Sequence, residues 1–163
     1  MGLPQEIGAL YLANEGVGIL GTHISRPAAA MGATAIRIPL FTVTAGEILL
    51  TCLYGVATVA PAALANAIQF DLTPTVGSAA SPMDDGVGDL NGLAIGDIIA
   101  PQGDITLPAV VAGPLIAGPT FSMPWICKVG TIGVTKAAAQ DMGTWRFELY
   151  YVPLTAGAYV VVA

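Results

Sequence analysis

The chain has 163 residues, enough for one domain with a core of its own. Only 10% of them are charged and 55% are hydrophobic, where an ordinary domain carries roughly 25% charge. So few charges cannot cover a solitary soluble domain, so the chain either lies in a membrane or buries surface against other chains. The net charge of −6 argues against a nucleic-acid partner. Arg26, Arg37, Lys128, Lys136 and Arg146 are scattered, where phosphate neutralisation needs a basic patch.

A membrane helix is not expected. Two uncharged runs, Ile48 to Phe70 and Ile105 to Cys127, have the length. The second holds Pro108, Pro114, Pro119 and Pro124, and each helix-interior proline costs roughly 3 kcal/mol. Neither run is flanked by a Lys/Arg cluster. The N-terminus lacks the basic and apolar regions of a signal peptide, and Glu6 stands where myristoylation after Gly2 wants Ser or Thr.

In chain order, residues 1–34 hold six glycines and no sustained period, yet are too apolar for a solvated tail. They read as an irregular N-terminal arm that packs on a neighbouring subunit, the other reading being an irregular strand of the domain's own sheet. Residues 35–163 read as a β-sandwich domain. Ala35 to Thr44 alternates as a strand, with Pro39 at an edge or bulge. After a turn at Ala45-Gly46, Glu47 to Tyr54 is apolar on both faces, as in a strand covered on both sides. Gly55 to Asn66 reads as a connection, Ala67 to Thr73 as a strand, and Pro74 to Asp89 as loop. Short strands recur near Leu93–Ala100, Ile105–Val111, Thr120–Val129 and Thr131–Lys136, punctuated by Gly and Pro. Lys136 to Met142 has room for a single helical turn, closed by Gly143.

The clearest element is at the C-terminus. Trp145, Phe147, Leu149 and Tyr151 share one face, and Arg146, Glu148 and Tyr150 the other, so one face is buried and one is wet. Pro153 ends the strand. Thr155-Ala156-Gly157 supplies a turn, and Ala158 to Val162 reads as the returning strand of a hairpin. The whole is all-β, a jelly-roll-like antiparallel β-sandwich with an irregular N-terminal arm.

Residues able to carry chemistry are few. His23, the single histidine, has no Ser, Cys or acidic neighbour in sequence and reads as structural or solvent-exposed. Asp84, Asp85, Asp89 and Asp97 supply carboxylates beside flexible glycines but miss the alternating acidic positions of an EF-hand, so a solvated loop is expected rather than a cation site. Gly16-x-Gly18 and Gly86-x-Gly88 lack the rest of a nucleotide fingerprint. Cys52 and Cys127 read as small buried apolar side chains, a disulfide between them staying open. The sequence thus offers no catalytic, cofactor-binding or metal residue, and the expectation is a protein that is not an enzyme and needs no cofactor.

Gly130-Thr-Ile-Gly-Val, then Gly143-Thr-Trp-Arg-Phe-Glu-Leu-Tyr-Tyr-Val-Pro-Leu, then Gly157-Ala-Tyr-Val-Val resemble segments of small decoration or cement proteins on the capsids of tailed bacteriophages. The Ile38 to Thr51 segment and the Leu72-Thr-Pro-Thr-Val-Gly step fit the same picture, so the resemblance covers about residues 36–163. It implies a jelly-roll-like sandwich, made in the host cytoplasm, that trimerises on the outer surface of the virion, binds the major capsid protein and stabilises the shell. It implies no catalytic residue, no nucleic acid and no membrane. The alternative is a carbohydrate- or receptor-binding sandwich of a fibre or tip, for which Trp125 and Tyr54 are the main stacking candidates, both expected to face the core.

Overall fold

The computed structural model describes residues 21–32, 36–62, 67–77, 79–86, 88–101, 110–112 and 125–163. These residues form twelve strands and no helix. They are β1 (Thr22–Ala30), β2 (Arg37–Thr44), β3 (Ile48–Val59), β4 (Ala67–Pro74), β5 (Ser81–Pro82) and β6 (Gly88–Asp89). The rest are β7 (Ile98–Ala100), β8 (Val110–Ala112), β9 (Trp125–Cys127), β10 (Gly130–Lys136), β11 (Thr144–Pro153) and β12 (Tyr159–Val162).

Two antiparallel sheets pack face to face. The first has the order β1-β11-β3-β7-β8, with β9 also on β3; the second has β12-β2-β10-β4-β5, with β6 also on β4. From β1 to β4 the chain alternates between the sheets, and β10 and β11 return between the strands already laid down. That wrapping is the jelly roll, and the all-β expectation holds.

The core lies between the sheets and follows from period-two alternation. Trp145, Phe147, Leu149 and Tyr151 of β11 are all buried, facing Leu40, Phe41 and Val43 of β2, Ile68 and Phe70 of β4, and Ile132 and Val134 of β10. Phe70 and Phe147 meet edge to face at 6.5 Å between ring centres, the arrangement that ring quadrupoles favour. Opposite Phe147 stands Gly55; a Cβ there would lie 2.6 Å from the Phe147 ring, so the large residue is matched by the smallest.

Pro39 does sit at a bulge. Ile132 pairs with Phe41 and Gly133 with Pro39, leaving Leu40 as an extra residue. The phase of burial changes there, and Leu40 and Phe41, adjacent in sequence, are both wholly buried.

Several expectations need correction. The last strand does not form a hairpin with β11. Strand β12 crosses to the second sheet and pairs with β2, Tyr159 opposite Thr44, because a turn signal fixes a reversal of the chain but not the sheet it returns to. Strand β3 runs on through Gly55 to Val59, where a connection was expected: Ala57 is buried there and Val56 pairs with Arg146. The segment after Lys136 is a series of bends, not a helical turn. The presumed loop from Pro74 to Asp89 carries the short strands β5 and β6.

The arm is shorter than residues 1–34 suggested. Residues 22–30 form β1, an edge strand on β11 with Thr22 opposite Tyr151 and Ala30 opposite Thr144. This is the alternative reading, a strand of the domain's own sheet. The expectation for residues 1–20 lies outside the described residues, as do those for 102–109 and 113–124.

Candidate functional site

At one end of the sandwich lie the start of β1, the Gly46 turn, the end of β4, β9 and the start of β10. Two hollows of about 420 and 440 Å³ open here and share Pro74, Val76 and Lys128. The first runs between Pro82 and Met83 of the second sheet and Trp125 and Ile126 of the first. The second reaches Gly46, Glu47 and Val129. Together they make one groove whose walls leave Val76 85% and Ile126 61% exposed. Trp125 packs its ring on the core, as expected, and its buried indole Nε1 has no hydrogen-bond partner among the described residues.

On the outer face of the first sheet, alternation brings together residues far apart in sequence. His23 stands opposite Tyr150, Tyr150 opposite Cys52, and Glu148 opposite Tyr54. His23 Nε2 lies 2.8 Å from Glu148 Oε2, and Arg146 Nε 2.7 Å from Glu148 Oε1. The His23 ring stacks on Tyr150 at 4.5 Å. Burial raises the Tyr54 phenol above its ordinary range, with the charge of Glu148 and a hydrogen bond to Tyr150 adding to it. Thus His23 has its acidic partner after all, 125 residues away, which local sequence does not display. Glu148 is buried rather than wet, because its neighbours on both sides lean over it. Tyr54 faces this outer surface, not the core, since Leu53 and Gly55 on either side of it point inward.

The outer face of the second sheet carries a charge network the sequence did not reveal. Arg37 donates through Nε and Nη2 to Asp71 Oδ1 at 2.8 and 2.6 Å, and through Nη2 to the Thr131 carbonyl at 2.9 Å. Thr135 donates to the other Asp71 oxygen at 2.7 Å. Gly133 leaves the room: a Cβ there would come within 2.8 Å of the guanidinium. At the end of the sandwich opposite the groove, Lys136 is buried and its ammonium donates to the carbonyls of Met31, Gly32 and Gln140. Burial lowers its pKa, opposed by nearby Asp141. It ties the chain beyond β1, in the first sheet, to β10 in the second.

The acidic group does not converge. Asp84 is fully buried and accepts the amides of Phe70 and Gly86 with its two oxygens, at 2.9 Å each. Burial pushes its pKa up to about 6, against the pull of those amides. Asp97 accepts the Ala94 amide at 2.8 Å and Asp89 that of Asn91 at 3.0 Å, each closing its own turn. Among the described residues, no three His, Cys, Asp or Glu side chains are grouped to hold a metal ion.

Cys52 and Cys127 are free and buried. Cys127 is opposite Ile48, four residues before Cys52, a separation of about 13 Å along the strand, too far for a bond. Burial raises their pKa values to about 11 and about 12, which disfavours the thiolate form.

No protein-family model, no curated protein and no solved structure matches the chain.

Proposed function

We propose that this is a structural subunit that works by permanent apolar contact with other chains, as a decoration or cement protein on the outer surface of a phage capsid. One observation carries the reading. Although a buried apolar core lies between the sheets, large apolar side chains remain exposed: Ile36, Val59, Val76, Ile95 and Ile126 are each more than half exposed. Burying such surface against a partner contributes roughly 25 cal/mol per Å², and 10% charge is too little to keep it apart from other protein. The partner, the major capsid protein, and the trimeric state are what the resemblance over about residues 36–163 implies.

The alternative, a carbohydrate-binding module, finds less support in the geometry. Tyr54 and Tyr150 reach the outer face, but His23 covers one face of the Tyr150 ring, where a sugar would stack.

Native mass measurement at micromolar concentration, followed by co-sedimentation with capsid shells lacking the protein, tests the proposal. A trimer that pellets with the shells supports it. A stable monomer that stays in the supernatant would sink it.

A further inference from the structure

The first hollow of the groove continues the core outward. Leu72, Met83 and Trp125, which line it, also pack on the buried cluster between the sheets, so its floor is apolar and fixed. Its rim is apolar too, with Val76 and Ile126 more than half exposed. Polar groups are sparse: among the described residues, Ser81 brings the one hydroxyl to this hollow and Lys128 the one charge. Lys128 is exposed and forms no ion pair among the described residues. It also borders the second hollow, whose carboxylate, Glu47, does not line the first.

We propose that the first hollow binds a long-chain fatty acid. The hydrocarbon tail lies between Pro82 and Met83 on one side and Trp125 and Ile126 on the other, and the carboxylate pairs with Lys128 at the rim. Three features select this class of ligand. The volume of about 420 Å³ falls in the range of small-molecule pockets, roughly 300–1,000 Å³. The lining suits a hydrocarbon, because a sugar or a nucleotide needs several convergent hydrogen-bonding groups that it does not offer. A single cation at the rim matches a single anionic head. Glu47 repels that head from the second hollow and so directs the tail into the first. The site belongs to the free subunit, so it stands apart from the shell-binding reading.

Contact quenching tests it, because Trp125 stands half-buried in the wall of the hollow. Trp145 is wholly buried elsewhere. It pairs with Ala57, seven residues along β3 from the Leu50 that faces Trp125, about 23 Å away. Stearate brominated at mid-chain, added to the purified protein below its micelle concentration, is expected to quench Trp125 saturably and to leave the emission of Trp145. Unbrominated acids displace it, with affinity rising about fourfold for each added methylene until the hollow is full. Their methyl esters, which lack the charge, bind about tenfold more weakly. Lys128→Ala weakens the acid to the level of its ester, and Ile126→Glu removes the quenching. The comparison of acid with ester uses the unaltered chain, so it decides the matter even if a variant misfolds. Acid and ester bound alike, no saturable quenching below the micelle concentration, or quenching by vesicles of a brominated phosphatidylcholine with none by the free acid would each overturn the proposal.

Discussion

The Val160 amide donates to the phenolic oxygen of Tyr151 at 3.3 Å. Tyr151 belongs to the first sheet and Val160 to the second, so the bond spans the sandwich. The Ala163 amide donates to Leu40, so by alternation the Val160 amide points away from β2, along the open edge of the sheet. Tyr151 therefore gives an acceptor to a buried donor that β2 leaves without a ladder partner.

Tyr151→Phe removes that acceptor and leaves a buried donor unpaired. The expected loss is about 1–3 kcal/mol, with faster hydrogen exchange at the Val160 amide than at Val161. Unchanged exchange at Val160 would show that the phenol does not hold the edge.

Phe147→Ala empties the centre of the core and costs about 3–5 kcal/mol. Glu148→Ala, on a face expected to be wet, is not silent. It breaks contacts to His23 and Arg146, both about half exposed, so a loss of about 0.5–1 kcal/mol is expected. Chemical denaturation of both variants checks the ranking, and equal losses would contradict the assignment of faces.

Stability depends on pH through Asp84. Its carboxyl titrates near 4 in the unfolded chain and is raised to about 6 in the fold. Between these values the folded protein holds a proton that the unfolded chain has released. The Asp84 contribution is therefore full below pH 4 and is lost as pH rises through 6, a change of order 1–3 kcal/mol. Denaturation midpoints at pH 4.5 and 7, compared with Asp84→Asn, isolate the effect; identical profiles for the two proteins would refute it.

Lys136→Ala leaves the Met31, Gly32 and Gln140 carbonyls without their shared donor. Of the three, the Met31 carbonyl is the buried one, and an unsatisfied buried acceptor costs about 1–3 kcal/mol, so the variant is expected to lose about that much by thermal or chemical unfolding.

Truncation separates the arm from the fold. Removing residues 1–20 keeps β1 and, with it, the circular dichroism of a β protein. Removing residues 1–34 strips β1 from β11 along with buried Met31, so this shorter protein is expected to unfold. If both deletions fold equally well, β1 contributes nothing to the first sheet.

The sequence made β11 and β4 legible because their apolar residues alternate, Trp145, Phe147, Leu149 and Tyr151 in one and Ile68, Phe70 and Leu72 in the other, although Glu148 and Asp71 between them are buried as well. It hid what depends on pairing between distant strands. Nothing near His23 announces Glu148, and nothing near Arg37 announces Asp71. In sequence Lys136 is only one of five scattered basic residues, although it continues the inward row of Ile132 and Val134 and its ammonium finds carbonyls at the end of the sandwich. The groove was illegible for the same reason, since its walls come from β4, β5 and β9.

The place of β11 between β1 and β3 has a consequence for synthesis. Strand β1 emerges from the ribosome first and has no partner until residue 144 and those after it follow. The first sheet therefore cannot close on a nascent chain: β3 finds β7 and β9 earlier, but β1 waits unpaired for the last eighth of the polypeptide. Such long-range pairing folds slowly, and a chain stalled before Trp145 is a candidate for chaperone capture or aggregation rather than a half-built domain.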